Sequence, residues 1–199
     1  PFLIIKQTSM RSYLVTGGSG QLGQCFQAVI NEFPEANLFF VSRNEVDITR
    51  SETIANFYRK NPFDGIINCA AYTNVDQAEK EEESALKINT EGLQNLIDFA
   101  ENKNLSIIHF STDYVFDGKK GFYTEEDNVH PLSMYGKHKL EAEQHVQAKL
   151  SNYLICRITN VYGDEIRGKN FIARLSENMR NGDAMDLNLP MDQYATPVN

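Results

Sequence analysis

Tyr13-Leu14-Val15-Thr16-Gly17-Gly18-Ser19-Gly20-Gln21-Leu22-Gly23 is the stretch that decides the fold. A short run that is apolar without alternation suits a strand buried on both faces. Gly17, Gly20 and Gly23 then recur at every third position where the run gives way to a helical pattern. At such a junction a backbone without Cβ can approach a pyrophosphate, and the helix beyond it offers unpaired N–H groups and a positive dipole end. The pattern predicts that Gly17, Ser19, Gly20, Gln21, Leu22 and Gly23 hold the phosphates of a dinucleotide. A tight turn with no ligand is the competing reading, and the strand–turn–helix context favours the ligand.

Working outward, four further apolar runs occupy residues 37–42, 65–68, 106–111 and 153–157. Helical patterns lie between and after them at 21–33, 51–60, 77–102, 132–150 and 171–180. Thr49 and Glu52 have the spacing of a capping box at the start of the second helix. This alternation predicts an α/β fold: right-handed βαβ units forming a doubly wound, mainly parallel sheet of Rossmann type, with residues 13–16 central and helices on both faces. The acidic segment 79–83 reads as the wet face of a long helix.

Residues 1–11 read as an N-terminal extension or tag remnant, since Pro1 is not an initiator and Met10 is a plausible native start. Residues 12–165 read as the dinucleotide-binding domain with the catalytic residues. Residues 166–199 read as the start of a smaller substrate-binding part that is largely missing, and the natural polypeptide is expected to continue past Asn199.

A chain of 199 residues can bury one sizeable core. The formal net charge of −8 argues against non-specific binding to nucleic acid or to anionic membranes, because an acidic surface is repelled by both. No apolar run approaches the ~18 residues of a membrane span. Cys25, Cys69 and Cys156 are odd in number, lie in or beside apolar stretches and form no CxxC pair. They read as buried free thiols in a reducing, cytoplasmic compartment, with no metal site.

Cofactor choice in such a fold is set at the tip of the second strand, where an acid would hold a ribose 2′-hydroxyl and an arginine a 2′-phosphate. The sequence there is Phe39-Phe40-Val41-Ser42-Arg43-Asn44, with no acid and with Arg43 available for a bidentate grip. NADP(H) is therefore the preferred cofactor and NAD(H) the alternative. Asp47 and Ile48 are placed to reach the adenine, through the carboxylate and the adjacent backbone.

Tyr135 and Lys139 share one face of a predicted helix at i and i+4. A free phenol has a pKa near ~10. A neighbouring ammonium, with the positive ring of an oxidised nicotinamide, would lower it, making the pair a proton-transfer device. In the reducing direction the phenol donates its proton to the developing alkoxide. Thr112 follows a predicted strand and can hold the substrate oxygen beside Tyr135.

With Thr16–Gly23, the segments Asn68-Cys69-Ala70-Ala71-Tyr72-Thr73-Asn74-Val75-Asp76, Asn89-Thr90-Glu91-Gly92, Ser111-Thr112-Asp113-Tyr114-Val115-Phe116-Asp117-Gly118, Pro131-Leu132-Ser133-Met134-Tyr135-Gly136-Lys137 and Asp192-Gln193-Tyr194 form an ordered set. This set resembles the extended short-chain dehydrogenase/reductase family, and within it the dTDP-4-dehydrorhamnose reductase group. The resemblance runs from about Ser12 to the last residue.

It implies that Thr112, Tyr135 and Lys139 form the catalytic triad and that Lys139 also bonds the nicotinamide ribose. It further implies that Cys69, Ala70 and Ala71 line the cofactor, that Asn89 supports the active site and that Asp113 lies next to the sugar. Two positions depart from the group's pattern. Asn160 stands where rhamnose-pathway reductases usually carry Trp, near the sugar, and Asp192-Gln193-Tyr194-Ala195-Thr196-Pro197-Val198 replaces the usual D-Q-Y-G-x-P-T.

The activity implied is NADP(H)-dependent reduction of a 4-keto-6-deoxy sugar attached to a nucleoside diphosphate. Two alternatives stand beside it. One is an epimerase or dehydratase of the same superfamily, against which the Asp113-Tyr114 pair counts, since dehydratases usually carry consecutive acids there. The other is a cofactor-binding regulatory subunit such as that of methionine adenosyltransferase. A homodimer is among the assemblies this resemblance admits.

Overall fold

The structure is a computed structural model that describes residues 10–159, 161 and 177–181. Its elements in chain order are β1 (Arg11–Thr16), α1 (Gln21–Val29), β2 (Ala36–Phe40), α2 (Ser51–Lys60), β3 (Gly65–Asn68), α3 (Val75–Ala78), α4 (Glu82–Leu86), α5 (Gly92–Lys103), β4 (Ser106–Thr112), α6 (Met134–Lys149) and β5 (Tyr153–Ile158). Each predicted apolar run is a strand. The five strands form one sheet in the order β2-β1-β3-β4-β5, and every pairing is parallel. β1 is an interior strand, and β3 holds the middle position. The winding reverses between β1 and β3, so the carboxyl ends of those two strands flank the switch-point crevice, where ligands bind in such sheets.

The sheet's two faces are chemically different. Leu14, Ile66 and Ile107 stand in one cross-strand row. They belong to the core with Ile54 of α2, Leu93, Leu96 and Ile97 of α5, and Ala142 and Val146 of α6. α2 packs on α5 and α5 on α6, so three helices cover this face. On the opposite face Phe110 of β4 meets Phe26 of α1, with ring centroids 6.0 Å apart.

Several local expectations are corrected. The predicted helix over 77–102 is three pieces, α3, α4 and α5, the last entered through a π-helical turn at Lys87–Glu91. Asn74 caps α3 by accepting from the Gln77 amide, and the π turn carries Asn89 and Thr90 into the interior. The acidic segment is more than a wet face. Glu79 accepts from the Met134 amide at 2.7 Å, and Glu81 accepts from the Tyr72 hydroxyl at 2.8 Å.

The Thr49–Glu52 capping box does not form. Arg50 is the N-cap of α2, Thr49 binds Asp47 through its amide and hydroxyl, and Glu52 pairs with Arg50 at 2.7 Å. The first helix ends at Val29 and finishes in a 3₁₀ turn, Ile30–Glu32. The three cysteines are free, and they are partly rather than fully buried. Of the last predicted helix, 171–180, only 177–180 fall among the described residues, and these are helical.

Candidate active site

The glycine-rich turn closes on itself and on β3. Gly17 has φ +66, and a Cβ there would stand 2.7 Å from the Ala70 nitrogen, so the loop after β3 can pass only because the side chain is missing. The Gly20 amide donates to the Gly17 carbonyl at 2.8 Å. A Cβ on Gly23 would meet Gly17 O and Gly18 Cα at 2.6 Å each, so this glycine lets α1 sit tight against the turn. Gly20 is the N-cap of α1 and supplies no side-chain acceptor, which leaves the first turn of the helix open for an anion.

Ser19 is exposed and Leu22 half-buried at this opening. The Ser19 carbonyl accepts from Gln24 Nε2 at 3.2 Å. Gln21 is tied elsewhere, since its Nε2 donates to the Val161 carbonyl at 3.1 Å and links the turn to the segment after β5.

The Gly18 amide donates to the Val41 carbonyl at 3.0 Å, holding the loop that carries Arg43 beside the turn. Arg43 is exposed, with Nε 3.4 Å from Asp47 Oδ2. Partial burial pushes the Asp47 carboxyl up, and its bonds to Thr49 together with the Arg43 charge more than offset this, leaving it below its usual range. Ile48 lies in the core, where its side chain covers Gly92. Its carbonyl accepts from Asn95 Nδ2 at 2.8 Å.

At the end of β3 the Cys69 amide donates to the Thr16 carbonyl at 3.2 Å. Burial pushes the Cys69 thiol up to about 12, so it is an inert wall rather than a nucleophile. Ala70 and Ala71 follow and are half-buried. Asn89 reaches this loop from the π turn. Its Oδ1 accepts from the Tyr72 amide at 2.8 Å and its Nδ2 donates to the Tyr72 carbonyl at 3.0 Å. A π turn at a functional site is a recurring device, and here it clamps the loop after β3.

Thr112, the last residue of β4, accepts from the Tyr114 amide and donates to Asp113 Oδ1, each at 3.2 Å. Ser133 caps the start of α6, its Oγ accepting from the Gly136 amide at 3.1 Å. Its first turn carries Tyr135, packed edge-on against Tyr114 with centroids 5.9 Å apart. Burial pushes the Tyr135 phenol up to about 12, hydrogen bonding with Thr112 opposes this, and Asp113 and Tyr114 reinforce it.

Thr112, Asp113 and Tyr135 are thus brought together at the end of β4, with Lys139 one turn further along α6, and one expectation is corrected. Lys139 does not lower the phenol in the protein alone. Its Nζ is buried, donates to the Phe110 carbonyl at 2.6 Å and lies 3.2 Å from His109 Nε2. Burial lowers the Lys139 ammonium to about 8 against the pull of Glu143.

The family model described as the RmlD substrate binding domain matches residues 10–199. The chain belongs to this family. It is 36% identical over 190 residues to the dTDP-4-dehydrorhamnose reductase of Aggregatibacter actinomycetemcomitans, covering 95% of this chain and 63% of that protein. It is 37% identical over 187 residues to that of Sinorhizobium fredii, covering 93% and 61% respectively. The solved dTDP-4-dehydrorhamnose reductase of Bacillus anthracis in complex with NADP is 33% identical with a TM-score of 0.80, over 86% of this chain and 60% of that one. The chain therefore spans about six-tenths of the length of the curated relatives it matches.

Within this RmlD-family chain four functional-site neighbours escaped the sequence reading: His109, the Asn68 side chain, Glu143 and Arg157. Glu143 is almost fully buried and is held by Arg157, whose Nη2 is 2.7 Å from its Oε2. A histidine inside the apolar run Ile107-Ile108-His109-Phe110 was the available signal, because a polar group in a buried strand must find partners. Asn160 lies outside the described residues. Among the described residues no helix is long and apolar enough to cross a membrane.

Proposed function

We propose that this chain is the cofactor-binding and catalytic portion of an NADP(H)-dependent reductase. Its substrate is the 4-keto group of a 6-deoxy sugar carried on a nucleoside diphosphate. The observation that carries the reading is the half-buried Tyr135 phenol beside Thr112 at the end of β4, with Lys139 one helical turn away. The names of the relatives in the family supply the substrate class.

The residues present fit a dinucleotide. The uncapped start of α1 at Gly20 suits the pyrophosphate, Arg43 suits a 2′-phosphate, and the Cys69–Ala71 loop clamped by Asn89 makes a wall for the nicotinamide half. When bound, the reduced nicotinamide supplies hydride to the carbonyl carbon.

The chain's own groups do the rest. Thr112 turns its hydroxyl hydrogen from Asp113 Oδ1 to the carbonyl oxygen and fixes it against the phenol. Tyr135 is protonated at neutral pH, as a proton donor must be, because burial opposes its ionisation. As the alkoxide develops, Tyr135 gives it the proton. Lys139 holds the nicotinamide ribose, Asp47 stands at the adenine end, and Asp113 faces the sugar.

The experiment is NADPH oxidation by the full-length protein across a panel of nucleotide-linked keto-sugars. Turnover restricted to 4-keto-6-deoxy sugars is the expected result. Tight NADPH binding with no turnover on any of them would replace this reading by the regulatory-subunit one.

A further inference from the structure

Two residues past the apolar row Leu14–Ile66–Ile107, on the same sheet face, the register places Thr16, Asn68 and His109 side by side. All three are buried. Thr16 Oγ1 is 2.6 Å from Asn68 Oδ1, Asn68 Nδ2 is 3.2 Å from His109 Nδ1, and His109 Nε2 is 3.2 Å from Lys139 Nζ. A continuous polar row therefore crosses three strands and ends on the lysine. Thr16 is the residue before the glycine turn, so the row begins at one functional element and ends at the other.

We propose that His109 is a positioning residue: braced by Asn68 and Thr16, it holds the Lys139 nitrogen at the distance and angle the reaction requires. The inference rests on the reductase reading above and adds a residue to it. The Phe110 carbonyl anchors one Lys139 hydrogen; the His109 ring supplies a second, sideways contact, without which the nitrogen has a single hydrogen-bond tether.

The row accommodates both charge states of the lysine. An ammonium donates to His109 Nε2 and Nδ1–H then donates to the Asn68 oxygen, which requires the Asn68 amide to turn over so that its nitrogen faces Thr16 Oγ1. An amine accepts from Nε2–H, and the whole row runs in the other direction, Thr16 to Asn68 to His109. His109 stays neutral throughout, since burial and the neighbouring Lys139 charge hold its pKa well below the usual value. The other ionisable groups around Lys139 are Tyr135 one turn before and Glu143 one turn after on α6, with Arg157 of β5 behind Glu143.

Two variants separate positioning from mere packing. His109→Gln keeps a polar atom near the Nε2 position and can still reach Lys139. His109→Asn keeps one near Nδ1, remains bonded to Asn68 and withdraws from Lys139. The first readout uses no substrate: the Lys139 titration in the cofactor-free full-length protein, followed by NMR of ¹³Cε-labelled lysine.

In His109→Asn the midpoint should fall by about half to one pH unit, because the hydrogen bond lost to the ammonium is stronger than the one lost to the amine. In His109→Gln it should stay near that of the wild type. With a keto-sugar nucleotide, kcat of His109→Asn should fall by about 10- to 100-fold, as for other small misplacements. KM should change little, and His109→Gln should recover most of the rate. Equal Lys139 titrations in the wild type and both variants would overturn the proposal. So would equal rates in the two variants of a wild type that turns over. A wild type with no turnover but a shifted titration in His109→Asn would sink the reductase reading and leave the lysine-holding role standing.

Discussion

Gly136 lies so close under the Tyr114 carbonyl that a Cβ on it would stand 2.4 Å from that oxygen and 3.1 Å from Pro131 Cβ. α6 therefore approaches the loop after β4 through its own backbone, and this approach is what sets Tyr135 beside Thr112. In most helices Gly→Ala stabilises by up to about 1 kcal/mol. Here the carbonyl cannot yield like a flexible side chain, and Gly136→Ala should destabilise by about 1–3 kcal/mol, as overpacking does. Urea denaturation measures this, and an alanine variant at least as stable as the wild type would refute it.

Tyr135→Phe removes the hydroxyl and keeps the ring against Tyr114. NADPH affinity should survive while kcat falls by about 10²- to 10⁴-fold, the usual contribution of general acid catalysis. Steady-state kinetics at saturating cofactor and substrate checks this, and near-wild-type turnover would remove Tyr135 from the mechanism.

Arg43 is exposed and lightly held by Asp47, so it is available to a ligand at little cost. Arg43→Ala should weaken NADPH by about 1.5–3 kcal/mol, the value of a hydrogen bond to a charged group, and should leave NADH nearly unchanged. Titration calorimetry with both cofactors decides it; equal losses would show that Arg43 does not read the 2′-phosphate.

The strands and the glycine turn were legible because apolar runs and glycine spacing report backbone burial directly. Tyr135, Lys139 and Thr112 were legible as a motif. What the sequence concealed was set by partners distant along the chain. Asn89 was named through the resemblance alone, since it faces inward by a π turn that no periodicity announces. The capping-box pattern at Thr49 lost to Asp47, which offers the same amide and hydroxyl a carboxylate two residues away. The direction of the Tyr135 shift escaped because spacing alone placed Lys139 beside the phenol, whereas its Nζ is drawn to Phe110 and His109 on the sheet. His109 was visible as an anomaly in a strand, but its partner on α6 was 30 residues away.

Burying the Lys139 ammonium is a stability cost with a definite pH signature. Its pKa is lowered from 10.5 to about 8, with burial as the main cause. Below about 8 the lysine is charged in both the folded and unfolded states, and the folded state bears the full cost, about 3 kcal/mol. Between about 8 and 10.5 the unfolded chain holds the proton and the folded one releases it, so stability rises with pH. Above 10.5 both are neutral and the cost is gone. Lys139→Met fills the same space without a charge. It leaves Phe110 O and His109 Nε2 without the lysine, which costs about 1–3 kcal/mol at every pH. The difference in unfolding free energy between the wild type and Lys139→Met should therefore move by about 3 kcal/mol in favour of the wild type from pH 7 to pH 11. Urea denaturation of both proteins across that range reads it, and using the difference cancels the titration of every other group. Parallel curves would mean that Lys139 carries no such cost and that its ammonium is solvated in the folded protein.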